Sequence, residues 1–75
     1  MYEKPLYNIG DLVVEFVDGL NLSSGLITNA YYDALDKEYV YSILWSDMFQ
    51  ETEMFESIMK WRIENNVFAY YKVVK

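Results

Sequence analysis

Two groups of carboxylates, Asp33/Asp36/Glu38 and Glu51/Glu53/Glu56, are the residues of this 75-residue chain whose types and spacing best suit chemistry. Paired carboxylates can serve as general acid and base in glycoside hydrolysis, provided a cleft holds one of them in an apolar pocket. A chain of this length has little volume for such a cleft. It also has no histidine and no cysteine, so the usual neutral-pH base and the thiolate nucleophile are both missing. We expect no catalysis and no small-molecule substrate. A hard cation such as Ca²⁺ takes roughly six to eight oxygen ligands. Asp33, Asp36 and Glu38 could supply some of them, but the glycine and the terminal glutamate of an EF-hand loop are missing. A solvated hairpin tip is the expected role of these residues, and no metal or cofactor is expected.

Charge narrows the partners. The net charge of −6 divides into −9 over residues 1–59 and +3 over residues 60–75, where Lys60, Arg62, Lys72 and Lys75 face Glu64 alone. Nucleic-acid affinity comes largely from cations neutralising phosphates, so the acidic body argues against direct nucleic-acid binding. The reverse is an acidic inhibitor that imitates the phosphate array of DNA and occupies a host nucleic-acid enzyme or transcription factor. Asp33, Asp36, Glu38, Asp47, Glu51, Glu53 and Glu56 would line its face.

Aromatic content is high, at eight Tyr, four Phe and two Trp. Each can bury roughly 150–250 Å², so the set exceeds what one small core needs. Tyr31, Tyr32, Tyr39, Tyr70 and Tyr71 could form a cage or groove, although tyrosines on strands more often build a barrel wall. Met48, Phe49, Met54, Phe55, Met59 and Trp61 are residue types enriched at interface cores.

These side chains need elements to hold them. Ile9-Gly10-Asp11 opens a strand over 12–17 with Leu12, Val14 and Phe16 on one face, and Asp18-Gly19 is a turn pair. Residues 20–25 read as a polar loop, and a strand restarts over 26–32. Residues 33–38 form a hairpin tip. In Tyr39–Trp45 the alternation puts Tyr39, Tyr41, Ile43 and Trp45 on one face, of which Tyr41, Ile43 and Trp45 are the expected core. Residues 46–64 fit either a strand near 50–55 followed by one or two helical turns to about 62, or one longer helix; the former is preferred. Asn65-Asn66 is a turn and 67–74 a last strand. No apolar run approaches the ~20 residues of a membrane-spanning helix, and residues 1–5 do not read as a signal peptide. Cysteine-free and without such signals, the chain is expected in the cytoplasm of a (host) cell or in a virion.

In order, "NIGDLVVEFVDG", "SSGLI" and "YVYSILWSD", then an acidic strand, a helical turn and a last strand, resemble a Src-homology-3-like small β-barrel of the Tudor or KOW type. The flavour is that of short bacteriophage-encoded proteins. Gly10-Asp11-Leu12-Val13 matches the opener, Gly25-Leu26-Ile27 the second element, and Tyr41–Asp47 the third. The departure is Met48, which stands where the hairpin glycine usually lies and predicts a wider or bulged connection. The resemblance covers roughly residues 8–61. It implies an all-β, five-stranded single domain over 1–75 with a short helical turn before the last strand.

Such barrels serve many functions. The residues point to a non-catalytic protein-protein interaction module that self-associates or joins a larger assembly, in a virion or a host-takeover complex. Tyr31, Glu51, Glu53, Phe55, Trp61, Tyr70 and Tyr71 are the expected partner-binding residues, and the partner is a protein, further copies of this chain included.

Overall fold

The computed structural model describes residues 4–47, 49–65 and 69–74. Five strands and one helix follow in the order β1 (Leu12–Val17), β2 (Leu20–Asp33), β3 (Glu38–Trp45), β4 (Gln50–Phe55), α1 (Glu56–Glu64) and β5 (Ala69–Val74). All strand pairs are antiparallel in one sheet of order β4-β3-β2-β1-β5. The expected all-β class holds, with a helix before the last strand. Between Gln50 and Glu64 the chain is a strand plus a helix of nine residues, not one long helix. Among the described residues β4 and β5 do not pair with each other; α1 joins them in sequence and packs against both as well as against β3.

Turn chemistry sets the registers. Asp18 and Gly19 both take positive φ (52° and 77°), the backbone of a two-residue hairpin turn that matches strand twist. That turn pairs Val17 with Leu20 and lays residues 20–26 along β1. The loop expected over 20–25 is therefore the first half of a 14-residue strand. Its Asn and Ser residues carry no alternating apolar signal, yet β1 needs hydrogen-bond partners for its backbone, and the tight turn delivers this segment to it. The second half of β2 pairs with β3. Register shifts at Glu15/Phe16 and across Ile27–Asn29 are the bulges that let so long a strand bend around a small core.

That core is Val13, Ile27, Tyr41, Ile43, Trp45, Met59 and Tyr71, each at most 5% exposed. Tyr41, Ile43 and Trp45 lie inside as the alternation requires. On β1 it is Val13 that is buried, whereas Leu12 points out. Gly25 is needed where β2 crosses Trp45: a Cβ there would lie 2.5 Å from Ile43 Cγ2 and 3.0 Å from the Trp45 ring. Asn65 ends α1, its backbone N–H and side-chain amide both donating to the Trp61 carbonyl (3.0 and 2.8 Å). Asn66, Val67 and Phe68, expected in a turn and a strand start, lie outside the described residues, as does Met48. Phe49 beside it takes a positive φ of 52°, in keeping with the irregular turn expected there.

Candidate protein-interaction surface

The register of the sheet brings side chains from all five strands into one outward-facing row. Leu12 pairs with Leu26, Leu26 with Leu44, Leu44 with Glu51, and Leu12 also with Val74. The row therefore reads Glu51–Leu44–Leu26–Leu12–Val74 from the β4 edge to the β5 edge. Its four aliphatic members are 40–52% exposed. Beside the row, the turn from β3 to β4 holds Phe49 87% exposed. Its positive φ is uncommon for a non-glycine residue, and for a bulky one it costs on the order of 1–2 kcal/mol. Leu12, Leu26, Leu44 and Phe49 line a shallow groove of about 280 Å³ whose floor includes Gly25 and Trp45.

Along the strands from this row the same face turns acidic. Glu51 Oε2 lies 2.6 Å from the Thr28 hydroxyl, and Tyr31 donates to Glu53 Oε2 at 3.0 Å. That bond pushes the Tyr31 hydroxyl pKa above its ordinary value. Tyr31 pairs with Val40 and Val40 with Phe55, so Tyr31, Val40, Glu53 and Phe55 border one small hollow of about 160 Å³. At the β5 side the face is basic: Lys72 Nζ sits 5.3 Å from the centre of the Phe16 ring, on which Tyr70 is stacked at 5.3 Å.

The expected binding residues separate accordingly. Tyr31, Glu51, Glu53 and Phe55 come together on the outer face of β2, β3 and β4. Tyr70 lies on β5 against Phe16, and Trp61 is an exposed residue of α1. Tyr71 is a correction. It is 4% exposed, packed 5.8 Å from Trp45 with Arg62 over its ring, so it is core and not a contact residue. Burial raises its hydroxyl pKa, and Arg62 partly offsets that. Sequence reasoning passed over Leu12, Leu26, Leu44 and Val74 as binding residues. Each is an ordinary strand aliphatic, and only strand register puts the four side by side.

Several other carboxylates accept backbone N–H groups. Asp33 Oδ1 accepts from Leu35 N–H (2.9 Å) and Asp36 N–H (3.2 Å), which closes the hairpin tip. Glu38 accepts from Ser57 N–H (2.9 Å) at the start of α1, where Phe55 supplies no side-chain cap. Glu56 accepts from the Tyr41 hydroxyl (2.5 Å) and from Leu6 N–H (3.0 Å). Burial and this bond raise the Tyr41 hydroxyl well above the usual tyrosine range. Tyr32 and Tyr39 meet edge to face at 5.4 Å in the wall of an open cleft of about 530 Å³ beside α1, whose rim mixes Lys4, Lys37 and Lys60 with Asp36, Glu38 and Glu56. The charged side chains named on that rim are three of each sign. Among the described residues no three acidic side chains are grouped to hold a metal ion, and no helix is long and apolar enough to cross a membrane.

Comparison with protein-family models, with curated proteins and with solved structures finds no match to this chain.

Proposed function

We propose that this protein is a non-catalytic protein-protein interaction module that works through the outer face of its sheet, within an assembly of its own copies or of other subunits. The observation that carries this is the in-register aliphatic row Val74–Leu12–Leu26–Leu44 with Phe49 beside it. A solvent-facing apolar row spanning four strands, rimmed by charge, has the make-up of an interface core and its rim. The positive φ of Phe49 belongs to the β3–β4 turn, where its N–H donates to the Trp45 carbonyl (3.0 Å), and the turn leaves its bulky side chain 87% exposed beside the row. The resemblance to short bacteriophage proteins supplies the setting for this reading, a phage-encoded component acting in the host cytoplasm or a virion.

The acidic-inhibitor alternative has less support. Asp33, Glu38 and Glu56 serve a turn, the helix start and a buried tyrosine; of the other four acids, Asp36 lies at the β2–β3 tip and Asp47 beside Ser23 at the opposite end of β3, which leaves Glu51 and Glu53 as the adjacent pair on the outer face.

A photo-crosslinking benzophenone amino acid at Phe49 tests the reading in cells that make the chain naturally. The same group at Leu35, 94% exposed on the β2–β3 hairpin tip, is the control. Discrete protein adducts from position 49 and not from 35 are expected. No adducts, or the same pattern from both positions, would overturn the reading.

A further inference from the structure

We infer that the occupant of the outer face is a second copy of this chain, docked face to face about a two-fold axis parallel to the strands. This rests on the interaction reading above and specifies its partner and geometry.

The row Glu51–Leu44–Leu26–Leu12–Val74 is nearly palindromic in its chemistry, with three leucines at the centre. A self-complementary patch is what an isologous dimer requires, since residue i then meets residue j and j meets i. Leu26 lies at the middle strand of the five and falls on or near the axis. Leu44 of each copy then meets Leu12 of the other.

Two orientations superpose such a row on a second copy of itself, and charge separates them. With the axis perpendicular to the strands, each strand faces its own counterpart. Glu51 then meets Glu51 beside a second pair of acids at Glu53, at the rim of an apolar contact. With the axis parallel to the strands the row is reversed. The β4 edge, with Glu51, faces the β5 edge, with Val74 and Lys72. Each end then sets Glu51 opposite Val74 and diagonal to Lys72, with no acid facing it, and Phe49 of each copy reaches the Val74–Lys72 end of its partner. Like charges set against each other at a rim select against an arrangement, and opposite ones fix register. The parallel axis is therefore the one the surface specifies.

The geometry also gives Phe49 a role. It projects past the row at the end of β3, where an anchoring aromatic can fill the gap that two curved sheets leave beside their line of closest approach.

Solution mass by light scattering on the purified full chain, across a concentration series, is the experiment. A dimer is expected. Leu26→Glu places two carboxylates near the axis and should leave only monomer, while far-ultraviolet circular dichroism and the thermal midpoint at low concentration stay those of a folded protein. Phe49→Asn serves as the independent variant, because asparagine tolerates positive φ: it should weaken the dimer without weakening the monomer. Glu51→Lys and Lys72→Glu should each weaken dimerisation roughly 2- to 30-fold, from two equivalent rim contacts per dimer, and the double charge swap should recover the loss.

A wild-type monomer at every concentration would overturn the inference. If discrete Phe49 adducts to other proteins accompanied it, the interaction reading would survive. A dimer indifferent to Leu26→Glu would place the contact elsewhere. Single swaps without effect, or a double swap without recovery, would reject the two-fold sense proposed.

Discussion

The inner and outer faces of the same strands make an instructive pair. Inside, Val13, Ile27, Tyr41, Ile43 and Trp45 are closed over by Met59 of α1 and Tyr71 of β5. Outside, Leu12, Leu26, Leu44 and Val74 repeat the same aliphatic chemistry one residue along and are left 40–52% exposed. Apolar character is therefore not what distinguishes core from surface in this sheet. The distinction comes from which face α1 and the Leu6–Tyr7 segment cover. The polar groups follow the same division: every described buried side-chain polar atom has a hydrogen-bond partner, so the inner face is complete and the outer one is not.

The largest effect that would sharpen the contrast is on the inner face. Ile43→Ala removes a fully buried side chain and should cost about 2–5 kcal/mol in urea unfolding, whereas Leu44→Thr on the next residue should cost under about 1 kcal/mol. Equal losses would break the comparison. Tyr41→Phe comes next. It removes the donor to Glu56 and should cost about 1.5–3 kcal/mol, as expected of a bond to a charged acceptor, loosening Leu6 as well in hydrogen exchange. Gly25→Ala drives a methyl into Ile43 and Trp45 and should cost roughly 1–3 kcal/mol.

Alkaline titration isolates the inner face by a different route. Tyr41 and Tyr71 have pKa values raised by burial. For an acid raised in the folded state, the unfolded chain ionises first, so the native state binds more protons above the unfolded pKa of about 10. Stability should hold below that pH and then fall by up to about 1.4 kcal/mol per pH unit for each such tyrosine, levelling off once the folded pKa is passed. Denaturant midpoints followed from pH 8 to 11 check this, and Tyr41→Phe should flatten the decline. The smallest effect belongs to the outer face: Phe49→Asn should raise monomer stability by up to about 1 kcal/mol, because it relieves the cost of a positive φ. A clear loss of stability would show that Phe49 supports the fold, and the contrast between the faces would fail at that residue.

Much of this architecture was legible in the residues. Strand alternation through Tyr41, Ile43 and Trp45 identified the core face of β3, Asp18-Gly19 marked the β1–β2 hairpin, and the bounds 50–55 for β4 match those observed, because each signal is local and written in adjacent residues. Legibility failed where the cause was non-local. Residues 20–25 look like loop because their side chains carry no alternation, and they become strand because β1 lies opposite. Tyr71 looks like a surface tyrosine of a basic strand, and it is core because Trp45 and Arg62 close over it.

The candidate site divides in the same way. Tyr31, Glu51, Glu53 and Phe55 were readable as surface residues of facing strands. The leucine row was not, since Leu12, Leu26, Leu44 and Val74 are separated by 14, 18 and 30 residues in the chain and become neighbours only through three strand pairings. By itself the sequence determined which segments extend, where they turn, and that catalysis lacks the usual residues, for these follow from backbone preference and side-chain chemistry. Only the tertiary structure decided which of two apolar faces is covered. A strand offers both faces equally, and the helix packed across the sheet can cover only one.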